Sequence, residues 1–212
     1  GWREAVRSPK PLGPADAAWR AAYAALTGPA RAQRRGLSRA VALAPGRPAF
    51  LILRGLCHLV VRNGLEVTQD QAALADLEAA AEAEARSPWA PLALGMAEYL
   101  GKRMRRAREL FEEAARRDPR DPWPVLLAAD ALYYNSSFPE ASARFEEAVR
   151  LDPDSAWSWA LLGRSRYLQG DPKMVDALDR AAKLEPRSGW ILCWRGAAWA
   201  LLKDRSRARR DF

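Results

Sequence analysis

At 212 residues, 49% of them hydrophobic and 28% charged, the chain has the composition of a folded soluble protein and not of a disordered or fibrous one. The net charge of +8 raises the question of nucleic acid, but only five of the 34 basic residues are lysine, and an alanine- and arginine-rich chain is what a GC-rich bacterial genome encodes whatever the function. Cys57 and Cys193 are too few and too far apart for a disulfide framework, and the most apolar run, 49–61, is interrupted by Arg54 and His58 and is too short to cross a bilayer. The first residues lack the charged-then-apolar order of a signal peptide, so the expected setting is the cytoplasm, without membrane insertion.

In chain order, residues 1–13 carry Trp2 and Ala5 ahead of Ser8-Pro-Lys-Pro-Leu-Gly-Pro and fit the tail of an earlier helix. A first helical hairpin spans 14–45, with helix A through Trp19 and Tyr23, a break at Gly28-Pro29, and helix B through Leu37 and Ala40 to Pro45. The second, 48–85, places Gly55 on helix A and returns through Ala73, Leu77 and Ala80; its small-to-Ala step is 18 residues against 12 in the next two, so Arg62 to Gln69 holds six extra residues. The third and fourth, 88–119 and 122–153, are one pattern written twice at a period of 34: Gly95, Ala107, Phe111, Ala114 and Pro119 return as Ala129, Ala141, Phe145, Ala148 and Pro153. The fifth, 156–186, runs through Gly163, Met174, Leu178 and Ala181 to Pro186 and is one residue shorter; the sixth, 189–212, carries Gly196 and reaches Ala208 and Phe212 in mid-helix.

Helix starts have a local cause. Ser87, Asp121, Ser155 and Ser188 recur just before helix A, where a side-chain oxygen can accept from the orphan N–H groups of the first turn. Pro14, Pro48, Pro88 and Pro122 follow at the first helical position, where the missing donor costs nothing. The small residues Gly55, Gly95, Ala129, Gly163 and Gly196 let helices A and B approach closely. Glu112 with Arg116 and Glu113 with Arg117 stand at the i, i+4 spacing of helical ion pairs.

The recurring set, a small residue followed by Ala-x3-Phe-x2-Ala-x4-Pro, resembles the tetratricopeptide repeat. The resemblance implies an all-α fold: a right-handed α-α superhelix of about six hairpins over 14–212, with helix A near 48–62, 88–100, 122–135, 156–169 and 189–202 and contacts mainly between neighbours. It also implies a chain that continues beyond Phe212, with the exposed end of the sixth hairpin a surface for self-association.

Catalysis needs a base, nucleophile or metal set, and the single histidine, His58, has only Cys57 beside it. No phosphate loop follows a strand, so neither an enzyme nor a cofactor is expected. The surface that the resemblance singles out is the concave one, lined by the second, fifth, ninth and twelfth residues of each helix A. These are Trp89, Leu92, Met96 and Tyr99; Trp123, Leu126, Asp130 and Tyr133; Trp157, Ala160, Arg164 and Tyr167; and Trp190, Cys193, Ala197 and Ala200. Family members that grip a terminal carboxylate use Lys, Arg and Asn at such positions, where Leu92, Met96 and Leu126 stand here. The tryptophans have two compatible explanations. Each indole can seal the joint against the preceding helix B, or it can face the groove as an anchor for a partner.

The expected function is a scaffold that binds a protein, peptide or helix in this aromatic groove. The alternatives are the recruiting or regulatory arm of a larger enzyme, such as a glycosyltransferase, and an RNA-associated helical-repeat module. Against the last, basic groove residues are limited to Arg164 and the charge lies mainly on helix B and loops, so no specific nucleic acid is expected.

Overall fold

The computed structural model describes Ala21, residues 30–59 and residues 71–212. Residues 1–13, Trp19, Tyr23, the Gly28-Pro29 break, the Arg62–Gln69 insertion and the His58 side chain lie outside what is described. Among the described residues there are eleven helices and no strand. The chain divides into two compact units, Gly1–Lys102 and Arg103–Phe212.

In the first unit, α1 (Ala30–Leu43), α2 (Pro48–Leu59), α3 (Gln71–Ala83) and α4 (Trp89–Leu100) each pack on the next, and α2 also lies beside α4. Leu37, Ala40 and Phe50 are fully buried, with Leu53 and the half-buried Cys57 packed against them. The close approach of α2 and α3 depends on Gly55, where a β-carbon would lie 2.8 Å from Leu77 Cγ and 3.1 Å from the Ala73 carbonyl oxygen.

The second unit holds α5 (Met104–Arg117), α6 (Pro122–Tyr134), α7 (Phe138–Leu151), α8 (Ala156–Gln169), α9 (Met174–Leu184), α10 (Gly189–Leu201) and α11 (Arg205–Asp211). Consecutive helices pack in pairs from α5 to α11, and α8 lies beside both α6 and α10. The helices predicted as A in this unit begin and end within a residue of their expected bounds. Phe145, Leu161 and Leu162 are buried between α6, α7 and α8. Burial of such side chains is worth about 1.5–3 kcal/mol each. On α8, Gly163 is the counterpart of Gly55, since a β-carbon there would meet Leu178 Cγ at 2.5 Å.

The A-to-B turns share a geometry that the sequence does not announce. Ser136, Gly170 and Lys203 occupy the left-handed region, with φ of 60°, 68° and 64°. The residue after each donates its N–H five residues back, Ser137 to Leu132, Asp171 to Arg166 and Asp204 to Trp199, at 3.0, 3.0 and 2.9 Å. This bond satisfies carbonyls that a helix end leaves open and reverses the chain at once. Only Gly170 is the residue type such a conformation favours.

The expected N-caps divide. Asp121 accepts from the Trp123 N–H at 3.0 Å and Ser155 from the Ser158 N–H at 3.2 Å, while Ser87 accepts weakly from Trp89 at 3.4 Å. Ser188 stands at the N-cap of α10, but its side chain makes no capping bond. Arg117 pairs with Glu113 at 2.6 Å as spaced, whereas Glu112 reaches across to Arg144 on α7 at 3.9 Å instead of along its own helix.

Two hairpins close on ions where another closes on hydrocarbon. Arg54, just before Gly55, clasps Asp76 through two bonds of 2.6 Å. At the equivalent place before Gly196, Arg195 clasps Asp211 through Nε at 2.7 Å and reaches Asp179 at 3.2 Å. Hydrogen bonding to Asp76 and to Asp211 raises both guanidinium pKa values above their ordinary range, against the opposing effect of burial. The corresponding residues in the fifth hairpin, Leu162 and Ala177, are buried and apolar.

Candidate functional site

The helix-A face is built from residues that helix geometry brings to one side: positions two, five, nine and twelve are separated by three or four and fall on one stripe. In the first unit this stripe on α4 carries Trp89, 61% exposed, with Leu92, Met96 and Tyr99 half-buried along it.

In the second unit the stripe spans α6, α8 and α10 and has three parts. At the N-terminal edge, Trp123 and Trp157 are 58% and 49% exposed. Trp190 is half-buried, and its ring stacks on Trp157 with centroids 4.8 Å apart at 27°. The fifth positions of α6 and α8, Leu126 and Ala160, are buried and belong to the core, while Cys193 on α10 is exposed. In the middle, Arg164 Nη2 donates to Asp130 Oδ1 at 3.2 Å, which joins ninth positions 34 residues apart.

The Arg164 guanidinium carbon also lies 4.0 Å from the Tyr133 ring centroid and 5.9 Å from that of Trp190. Cations so placed gain from the ring quadrupole. Arg164 Nε is buried without a hydrogen-bond partner. At the C-terminal edge, Tyr133 packs edge-on to Phe138 at 5.5 Å, and Tyr167 to Trp194 at 5.6 Å. Burial raises the Tyr133 hydroxyl pKa above its ordinary value, and the Arg164 charge opposes that rise.

The aromatic and charged residues of the stripe in the second unit thus fall into two groups. Asp130, Tyr133, Arg164 and Trp190 form one contacting cluster, to which Trp157 is joined by its stack and Tyr167 through Trp194. Trp123 stands outward. Two indoles in this unit seal joints: Trp190, which the repeat register picks out, and Trp159, which it does not, both pack against the buried residues of α6 to α8 and those of α9 and α10, and Trp159 Nε1 also donates to the Pro153 carbonyl at 2.9 Å. Trp194 was also missed; it lies one helical turn after Trp190, a spacing that would have found it.

Chemically, the face offers aromatic surface and a cation whose charge Asp130 already balances. Among the described residues no three His, Cys, Asp or Glu side chains gather as a metal-ligand set. No helix of the described residues is long and apolar enough to cross a membrane. A cleft of about 390 Å³ between α9, α10 and α11 is lined by Arg195, Arg207 and Arg210 with Asp179, Asp211 and Trp199. Two of its cations are already engaged, Arg195 with Asp211 and Asp179, and Arg207 with Asp204 at 3.3 Å.

Residues 99–164 match the model of a family described as the tetratricopeptide repeat. No curated protein matches the sequence. Among solved structures, the chain is similar to YrrB, described as a tetratricopeptide-repeat protein with an unusual peptide-binding site, at 15% identity and a TM-score of 0.64 over 82% of this chain and 88% of that one. It is similar to MamA of Desulfovibrio magneticus RS-1 at 21% identity and a TM-score of 0.63, covering 67% of this chain and 81% of that one. The Cut9–Hcn1 hetero-tetramer of the APC/C superposes with a TM-score of 0.74 at 18% identity over 99% of this chain, which spans 41% of that one. The likeness to these structures is one of fold. The described residues form an all-α helical-repeat chain assembled from helical hairpins, and the tetratricopeptide-repeat model matches it over residues 99–164.

Proposed function

We propose that this protein is a non-catalytic scaffold that holds a peptide segment of a protein partner on the helix-A face of the second unit, on Trp123, Trp157, Tyr133 and Tyr167, and that Trp89, Met96 and Tyr99 make a surface of the same kind on the first. The observation that carries this reading is the exposure of Trp123 and Trp157, at 58% and 49%, on a face whose other aromatic rings are packed in contact with one another. Indoles are costly to leave in water, and Trp and Tyr are the residue types that most often dominate interface energy. The similarity to YrrB, which has a peptide-binding site, supports the same kind of ligand. Several arginines are held in ion pairs, among them Arg54, Arg117, Arg144, Arg166 and Arg195, which supports a protein ligand over nucleic acid.

The test is selection of binders from a displayed library of random peptides, followed by affinity measurement on Trp123→Ala with Trp157→Ala. Selected peptides should bind the parent and lose at least tenfold on the variant, with the helical circular dichroism signal unchanged. Binders insensitive to both tryptophans, or no binders at all, would overturn the reading.

A further inference from the structure

The tryptophan edge has a charge environment that sets it apart from the rest of this basic chain. The turns that lead into α6, α8 and α10, just before Trp123, Trp157 and Trp190, hold Asp118, Asp121, Asp152, Asp154 and Glu185 against two basic residues, Arg120 and Arg187. Among the described residues only Asp154 of the five acids is in an ion pair, with Arg180 at 3.6 Å and with most of its own side chain in solvent. A protein of net charge +8 therefore presents exposed indoles beside unneutralised carboxylates along one edge. Aromatic faces and carboxylates together favour a cationic side chain, by ring quadrupole and by charge.

The backbone of the occupant follows from hydrogen bonding. Helix backbones are saturated internally and offer no ladder to a strand. A segment rich in proline, with few N–H groups to satisfy, loses least on such a surface, and aromatic-lined grooves are the general way of holding it.

We propose that the tryptophan edge of α6 and α8 takes a proline-rich extended segment bearing arginine or lysine. This rests on the scaffold reading above and specifies its ligand. The probe is a fluorescein-labelled peptide of repeating Arg-Pro-Pro, read by anisotropy beside a Glu-Pro-Pro counterpart and an alanine-based helical peptide of equal positive charge. The Arg-Pro-Pro peptide should bind at least tenfold tighter than either. It should lose at least tenfold on Trp123→Ala with Trp157→Ala, and Asp118→Asn with Asp152→Asn should flatten the salt dependence of its binding. Equal affinity for the helical peptide, binding untouched by the tryptophan substitutions, or no binding would overturn the proposal. If library-selected peptides dock on the same tryptophans yet lack proline and basic residues, this proposal falls and the scaffold reading stands; if none docks there, both fall.

Discussion

Trp157 and Trp159 stand two residues apart on α8 and serve opposite ends. Trp159 lies against core clusters on both sides of the helix and spends its N–H on the Pro153 carbonyl. Trp157 leaves half its surface in water and rests one ring face on Trp190. A rotation of about 200° around the helix separates them, enough to carry the same side chain from a joint to a display surface. Residue type therefore does not assign a role in a repeat protein; angular position on the helix does.

Breaking the joint should have the largest effect. Trp159→Ala should lower unfolding free energy by about 3 kcal/mol or more, the scale of large aromatic truncations. Trp157→Ala should cost about 1 kcal/mol, since half of the side chain is already in water and what it gives up is one stacked face; urea unfolding of the two variants side by side checks the difference. Equal losses would erase the distinction between the two faces. The face of α8 that meets α9 should be next. Gly163→Ala places a β-carbon 2.5 Å from Leu178 Cγ and should cost about 1–3 kcal/mol in spite of alanine's better helix propensity, read by the same unfolding curves.

Smaller effects come from positions off both faces. Ser136→Gly should raise stability by up to about 1 kcal/mol, because serine bears the left-handed conformation that glycine adopts freely, and Gly170→Ala should lower it by a similar amount. Thermal melts of the pair would sharpen the contrast between packing on α8 and strain in the turns that bound it.

The smallest effect belongs to Tyr133, whose hydroxyl pKa is raised in the folded state. The unfolded chain then loses this proton first as pH rises, so the stability tied to the neutral ring is complete below about pH 10 and falls away above it. Tyr133→Phe should lose less stability than the parent between neutral and strongly alkaline pH, as unfolding titrations at both would reveal.

Much of this was legible in the residues. The period of 34 located helices α4 to α10, and Asp121 and Ser155 announced their caps by type and place. Ser188 did not cap, although its type and position are the same, because a helix start can leave its orphan N–H groups to water. Lysine and serine gave no sign of the left-handed turns, since the Schellman hydrogen bonds impose the conformation on whatever residue the loop length puts there. At the candidate site, the register put Asp130 and Arg164 at equivalent positions and named the indoles, but gave no sign that the two charges pair. It passed over Trp159 and Trp194, because a family stripe names positions and not the particular side chains that fill the space between them.

The clasp between Arg54 and Asp76 spans 22 residues of sequence, and its counterpart between Arg195 and Asp211 spans 16. The same ionic latch closes over connections that differ by six residues. By loop-closure entropy each doubling of a connection's length costs only about 0.6 kcal/mol, less than the loss of a part-buried bidentate pair. The A-to-B connection of the second hairpin is thus a natural grafting point, where an epitope, a fluorophore or a second binding module can be spliced into the chain while the latch keeps the two helices in register.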